Sequence, residues 1–302
     1  MKRVQPLVWA VCVGLIFSVS VNAAQTEASK KSSYLKRIAG ESYDAEGNKM
    51  EEKAAAAPLY PLATRTEPKQ GGEPALVKLR NQMVTAFQKG KTDDAKNYAL
   101  QLKASEKANN NDKATANQVL LILITQKDNK NNEETIPLLE EIISLNALDN
   151  NTHYSMMSQL AQRYLVNQDY EDALEFSNRF LSETKSEKKE IVAVKGNSLY
   201  RLKRLPEAIV ELEKAHTMDS TDLAVTTMLV KAYSENKQAA KAAELAKSIV
   251  QTTANARVSQ ITLAFTFFEA KQVPEAVVVI EQLRATNLLT ASIGSQTPHT
   301  SI

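Results

Sequence analysis

Apolar residues recur at intervals of three and four from Pro74 onward, and this spacing predicts a succession of α-helices. Stretches of about a dozen residues with this spacing alternate with short polar turns, for example at 88–91, 166–169 and 201–204. Alternating strand patterns are nearly absent from the same region. The hydrophobic pattern therefore predicts an all-α fold from residue 74 to about residue 290.

A small residue that opens every second helix sets a repeat period. It recurs at intervals of 35, 34 and 34 residues, at Ala173, Ala208, Ala242 and Ala276. Twelve residues before each of these lies a candidate helix-crossing residue, at Ala161, Gly196, Val230 and Ala264. Three residues further on stand the larger side chains, Tyr164, Leu199, Tyr233 and Phe267. Small residues let two helices approach, and the larger ones fill the space beside the crossing.

This period and these positions resemble the tetratricopeptide repeat (TPR) family. The resemblance is good for 189–222 and 257–290, and weaker for 154–187 and 223–256, where Ser177 and Val230 depart from the usual residue types. Upstream, 76–109 fits as one more repeat and 113–150 as a degenerate helix pair. The resemblance implies a TPR-like α-solenoid of helix–turn–helix repeats that forms a right-handed superhelix with a concave face lined by first helices.

The N-terminus has the layout of a secretory signal peptide. Met1, Lys2 and Arg3 give a basic start, 7–21 is apolar and without charge, and Ala23 follows as a small residue. A membrane-spanning helix needs roughly 20 apolar residues, so we expect cleavage after Ala23 and not an uncleaved anchor. The expected mature protein is exported, and periplasmic in a Gram-negative host.

Two further segments flank the predicted repeat array. Residues 24–73 contain several prolines and charges and few large apolar side chains, which is typical of a disordered linker. The alternative for part of it is a short docking motif around Tyr34 and Ile38. Residues 291–302 are polar and predict a flexible tail instead of a capping helix, so the last repeat is left exposed or is covered by a partner or by a second copy of the chain.

Cleavage would change the composition. The single Cys and the single Trp, Cys12 and Trp9, would be lost, and with them any disulfide or thiolate chemistry. Loss of Lys2 and Arg3 would leave 35 basic residues against 35 acidic ones. A formally neutral chain offers no general attraction for nucleic acid or for an anionic membrane.

Candidate catalytic chemistry is sparse in this sequence. The histidines His153, His216 and His299 share no neighbourhood with paired carboxylates or a nucleophile, and we expect His216 to pack at a seam between repeats. There is no glycine-rich phosphate loop and no metal-ligand spacing. We therefore expect no enzyme activity, no cofactor and no metal.

The TPR resemblance also implies partner-binding positions on the first helices. These positions fall on Gln162, Asn197, Tyr200, Arg201, Lys231, Phe265 and Phe268. Asn197 and Arg201 are four residues apart and share a helix face, where an amide and a guanidinium could meet a peptide backbone and a carboxylate. The alternative is that these polar residues form the solvated side of the array. Phe265 and Phe268 indicate an apolar patch near the uncapped end, which could also support homo-oligomers.

We therefore expect an exported protein-protein interaction scaffold or adaptor that binds segments of partner proteins on the concave face. The segment 154–216 is loosely similar to exported bacterial TPR proteins that accompany TonB-type systems, which implies a role beside an envelope transport complex. The alternative is an envelope assembly factor or chaperone-like factor.

Overall fold

The computed structural model describes residues 57–69, 71–252, 264, 267–268 and 273–285. Within these ranges the chain forms helices joined by turns, and they contain no strand. The chain divides into two compact units at the boundary between Glu187 and Lys188. We describe each unit by itself.

Unit 1 consists of helices that pack in sequence order, each against the next. A short 3-10 helix, Pro74–Leu76, precedes the first of them. Its α-helices are α1 (Val77–Gln88), α2 (Thr92–Ala104), α3 (Asn110–Lys127), α4 (Asn132–Leu145), α5 (Asn150–Asn167) and α6 (Tyr170–Thr184).

Unit 2 has the same sequential packing. Its described α-helices are α7 (Lys189–Arg201), α8 (Leu205–Met218), α9 (Leu223–Glu235), α10 (Ala239–Thr252) and α11 (Val273–Ala285). Helix α9 also contacts α7, two helices back. Each predicted repeat from 76–109 to 223–256 corresponds to one of these helix pairs, although α3 begins at Asn110 and α5 at Asn150, three and four residues before the predicted starts at 113 and 154.

Short polar side chains fix where several helices begin. Asn109 and Asp112 form a reciprocal capping box at the start of α3, and the Asp149 carboxylate accepts a hydrogen bond from the Thr152 amide at the start of α5. Asp222 accepts in the same way at the start of α9. Each cap satisfies an amide that has no partner inside its helix, so the repeat boundaries are determined locally.

The core follows the predicted period. The alanines that open the second helices are buried, at Ala173, Ala208, Ala242 and Ala276. The large residues beside the crossings are buried as well, at Tyr164, Leu199, Tyr233 and Phe267. Ser177 replaces the usual aromatic residue without leaving its hydroxyl unsatisfied, because it donates to the main-chain oxygen of Ala173 at 2.7 Å. The predicted all-α helix–turn–helix repeat is therefore confirmed within each unit.

The linker prediction requires a correction. Residues 57–69 belong to the predicted disordered segment 24–73, yet they pack along the turn between α4 and α5 and along the end of α6. The Thr64 amide donates to the main-chain oxygen of Glu183 at 2.8 Å, and the Arg65 side chain donates to the Asn146 side chain at 2.6 Å. Polar contacts hold this stretch in place where apolar residues are scarce. Residues 24–56 lie outside the described part of the chain.

Other predicted segments also lie outside the described ranges, namely the signal peptide 1–23 and the tail 291–302. Of the helices that the structure describes, none combines the length and the apolar composition that a membrane crossing requires.

Candidate functional site

The candidate partner-binding residues of unit 2 lie on two first helices that contact each other, α7 and α9. Asn197 lies in the last two turns of α7 and Arg201 is its final residue, whereas Lys231 lies on α9. Asn197 and Lys231 are one repeat period apart and so occupy equivalent positions. The structure thus places three predicted residues on adjoining helices.

Asn197 is half-buried, and its side-chain oxygen Oδ1 is buried without a hydrogen-bond partner among the described residues. A buried amide oxygen with no partner costs free energy that a donor from a ligand would recover. Arg201 is exposed one turn later, and Lys231 is half-buried. The site therefore combines a buried amide oxygen, which has no hydrogen-bond partner among the described residues, with two cationic groups.

Tyr200 is engaged inside unit 2. Its hydroxyl donates a hydrogen bond to the carboxylate of Glu235 at the end of α9, and Lys203 binds the same carboxylate at 2.9 Å. The Lys203 ammonium also lies 5.4 Å from the centre of the Tyr200 ring. Burial alone would raise the pKa of Glu235, but the hydrogen bonds from Tyr200 and Lys203 outweigh it and lower that pKa. Tyr200 thus joins α7 to α9 instead of presenting a free hydroxyl.

The remaining predicted positions are less informative about a site. Gln162 lies on α5 in unit 1 and is exposed. Phe268 is 64% exposed beside the fully buried Phe267, as expected for an apolar surface residue near the end of the array. Phe265 lies outside the described residues. Partner binding by all seven residues stays a prediction.

Sequence reasoning missed a second set of polar residues, around the turn between α4 and α5 in unit 1. Asn146, Asn150 and Asn151 hydrogen-bond to residues 57–69 through their side chains. The signal in the sequence is the density of asparagine at this inter-repeat turn, which it shares with the turn before α3 at Asn109, Asn110 and Asn111. Composition alone could not indicate what those amides contact.

A buried histidine lies next to this turn. Both ring nitrogens of His153 are buried without a hydrogen-bond partner among the described residues. Burial, together with the charges of Arg65 and Arg179 and against the opposing charge of Asp149, lowers the pKa of His153 from 6.5 to about 3. The imidazole is therefore neutral at physiological pH. In the described part of the chain, His, Cys, Asp and Glu side chains form no group of three or more that could hold a metal ion.

The described helices pack in sequence order as helix–turn–helix pairs, and they define the class of this protein as an all-α helical repeat protein. No family model matches the chain, and no curated protein matches it. Several solved structures of TPR proteins are similar to it. One is described as a Podosopora anserina putative kinesin light chain with nearly identical TPR-like repeats; it is 21% identical, covers 60% of this chain and 97% of its own, and gives a TM-score of 0.47.

Two further solved structures are similar at comparable levels. YrrB, described as a TPR protein with an unusual peptide-binding site, is 12% identical over 70% of this chain and 93% of its own, with a TM-score of 0.45. Pseudomonas aeruginosa pilF is 14% identical over 71% of this chain and 92% of its own, with a TM-score of 0.44. Because these sequence identities and TM-scores are low, the assignment as a helical repeat protein depends on the described helix pairs and on the buried residues that recur once in each pair.

Proposed function

We propose that this protein is an interaction scaffold that binds an extended, carboxylate-bearing segment of a partner protein on α7 and α9. The observation that supports this most directly is the buried Oδ1 of Asn197, which has no hydrogen-bond partner among the described residues. The oxygen is buried in this structure, so a peptide amide would donate to it once the Asn197 side chain turns toward the ligand, because asparagine can accept from a backbone N–H group. The proposal thus assigns Asn197 the role of binding the main chain of the ligand.

Arg201 and Lys231 supply the charge that such a segment would meet. Arg201 is exposed at the end of α7 and Lys231 is half-buried on the adjoining helix α9. A guanidinium binds a carboxylate with two parallel hydrogen bonds, so Arg201 is the group expected to choose acidic partners.

The proposal extends to location and context. We infer export from the basic start, the apolar run 7–21 and the small residue Ala23. The similarity of 154–216 to exported TPR proteins that accompany TonB-type systems supports a role beside an envelope transport complex. In that setting the scaffold would hold a soluble segment of the complex in place.

The test begins with an array of immobilised acidic peptides, from which a ligand for the full-length chain is selected. Arg201→Ala should weaken binding of that ligand by about tenfold or more, because it removes a charge-assisted hydrogen bond. Asn197→Ala should also weaken it, because it removes the amide oxygen to which the peptide backbone would donate. Both variants should keep the helical content and melting temperature of the wild type.

Arg204→Ala is the matched control. Arg204 is close in sequence to Arg201, has the same charge, and pairs with Glu207 at 2.6 Å in the first turn of α8. Removing it should leave peptide binding unchanged. Equal losses for Arg201→Ala and Arg204→Ala would mean that only net charge matters, and the proposed site would be wrong.

A further inference from the structure

Residues 57–69, which we call the cis segment, lie on unit 1 in the way a bound peptide lies on a receptor. They contact the turn between α4 and α5 and the C-terminal end of α6, which together we call the docking face. The contacts fall into a backbone clamp, an aromatic pocket, an arginine site and two helix ends. Each would recognise a peptide whether or not it belonged to the same chain.

The backbone clamp is the side chain of Asn151. Its Oδ1 accepts a hydrogen bond from the Leu59 amide at 2.8 Å, and its Nδ2 donates to the main-chain oxygen of Ala57 at 3.3 Å. One amide side chain therefore pairs with both the donor and the acceptor of an extended backbone, two residues apart. This contact is independent of the ligand's side chains.

The aromatic pocket selects the residue after the clamp. The Tyr60 ring makes edge contacts with Tyr154 at 5.3 Å and with Phe180 at 5.5 Å between ring centres. Tyr154 and Phe180 are fully buried, so Tyr60 packs directly on the core of the third repeat. Edge-to-face packing of this kind favours an aromatic ring over an aliphatic side chain.

The arginine site lies five residues further along. Arg65 donates to Oδ1 of Asn146 at 2.6 Å and to Oδ1 of Asn150 at 2.5 Å. It also donates to the main-chain oxygens of Asn146 at 3.2 Å and Leu148 at 2.9 Å. Four acceptors arranged around one planar group fit a guanidinium, whereas an ammonium presents its donors in another geometry. The site therefore selects arginine over lysine.

Two helix ends complete the docking face. The Thr64 amide and hydroxyl both donate to the main-chain oxygen of Glu183 near the end of α6, at 2.8 and 3.2 Å. The Glu67 carboxylate accepts from the Asn150 amide in the first turn of α5 at 3.2 Å. Helix ends offer main-chain groups without partners inside the helix, so these contacts also suit any extended ligand.

Apart from these contacts the cis segment is little buried. Leu59 is 63% exposed and Leu62 is 68% exposed. A cleft of about 470 Å³ remains beside the segment, lined by Thr64, Arg65, Ile143, Ser144, Asn146, Arg179 and Glu183. A segment held by surface hydrogen bonds and by one packed aromatic ring opens at a lower free energy than the helical core behind it. The cis segment therefore lies on the core as a tethered ligand would.

We propose that the docking face is a peptide-binding site for extended segments with an aromatic residue followed, five residues later, by arginine, and that residues 57–69 occupy it in cis as an exchangeable ligand. This site belongs to unit 1 and is independent of the function proposed for α7 and α9. A partner segment of the same chemistry gains access by displacing the cis segment.

Hydrogen exchange in the full-length chain tests whether the segment is held by these contacts. The amides of Leu59 and Thr64 should be protected, since both donate hydrogen bonds. Arg65→Ala should speed their exchange by about tenfold or more. Leu62→Ala is the matched control within the segment and should leave exchange unchanged, because Leu62 is exposed. Unprotected amides in the wild type would overturn the proposal.

Binding in trans tests whether the ligand is exchangeable. A fluorescent peptide with the sequence of residues 57–69 should bind the full-length Tyr60→Ala, Arg65→Ala variant at least about tenfold more tightly than the wild type, whose site is filled. A peptide with both residues replaced by alanine should not bind. If the double variant loses helical signal, the intact peptide should restore it. Equal binding to wild type and variant, or no binding and no restoration, would overturn the proposal.

Discussion

Gly196 of α7 lies directly against Leu212 of α8, so that a Cβ atom at position 196 would stand 2.9 Å from both Cγ and Cδ2 of Leu212. The Leu212 amide nitrogen would be 3.2 Å away. The two helices of this repeat therefore meet at a distance that only glycine permits without movement of the backbone or of Leu212. This close approach explains why a residue with poor helix propensity stands inside α7.

Gly196→Val should destabilise the protein because the added carbons overpack this crossing. The expected loss is about 1–3 kcal/mol, measured as the shift in the urea midpoint. Ala193→Val on the same helix is the control. It introduces the same branched side chain at a position that is only half-buried. Valine raises helix propensity at position 196 and lowers it at position 193. A loss for Gly196→Val no larger than that for Ala193→Val would therefore show that the crossing does not govern the effect.

The Tyr164 hydroxyl donates a hydrogen bond to the carboxylate of Glu140 on the preceding helix. Burial, together with Glu140, raises the pKa of Tyr164 above its ordinary value of 10.0. A raised pKa in the folded state means that its stabilising contribution is present below about pH 10 and is lost as the pH rises above it.

Tyr164→Phe should accordingly be less stable than the wild type at neutral pH, and the gap should narrow above about pH 10. Tyr233→Phe should behave alike, because Tyr233 stands at the equivalent repeat position and donates to Glu213. Denaturant midpoints measured from pH 7 to 11 check both. A gap that stays constant with pH would contradict the assigned hydrogen bonds.

His153 should make unit 1 sensitive to acid. Its pKa falls from 6.5 to about 3 in the folded state, so the folded chain resists a proton that the unfolded chain accepts. Stability should fall as the pH drops below 6.5, by roughly 4–5 kcal/mol at pH 3 from this residue alone. The measurement is the free energy of unfolding as a function of pH.

His153→Phe removes this dependence and provides the control. Neither ring nitrogen has a hydrogen-bond partner among the described residues, and the ring contacts Tyr154 edge-on at 5.3 Å. The phenyl ring should therefore be tolerated at pH 7, and the acid slope should become shallower than that of the wild type. An unchanged slope would assign the acid sensitivity to the carboxylates instead.

Processing of the precursor gives a separate prediction. The mature protein should begin near Ala24, and it should lack both Trp9 and Cys12 because they precede the expected cleavage site. Intact mass of the protein recovered from its natural host would decide this. A major species that still fluoresces as a tryptophan protein would contradict the signal-peptide interpretation.

The repeat could be predicted because helix crossing imposes a steric requirement on single positions. Ala208 and Ala242 are fully buried where the period places them. His216, expected at a repeat seam, contacts the Thr226 hydroxyl on the next helix at 3.0 Å. Such requirements recur every repeat, so a single sequence contains several independent instances of the same pattern.

The cis segment could not be predicted in the same way. A prediction from composition depends on the number of large apolar side chains, and residues 57–69 have too few of them to predict an ordered structure. Their docking depends on one aromatic ring, on Arg65 and on the amides of Asn146, Asn150 and Asn151. These partners are far apart in sequence and follow no period, so only the fold brings them together.

The candidate site in unit 2 was predictable in position but not in its contacts. The period places Asn197 and Arg201 on a first helix. It does not indicate that Tyr200 binds Glu235 on the next repeat, because that depends on the rotamers of two long side chains. Sequence reasoning therefore treated Tyr200 as available when it already has a partner.

The cis segment also has a consequence for biogenesis. Its hydrogen bonds join residues that are 81 to 119 positions apart, from the Arg65–Asn146 pair to the Thr64–Glu183 pair. During synthesis the segment appears well before its docking face exists, and closing so long a loop makes this contact a late event in folding. For that interval the nascent third repeat has an empty face. A chaperone that displays an aromatic residue and an arginine at the same spacing could bind the empty docking face until the cis segment docks there.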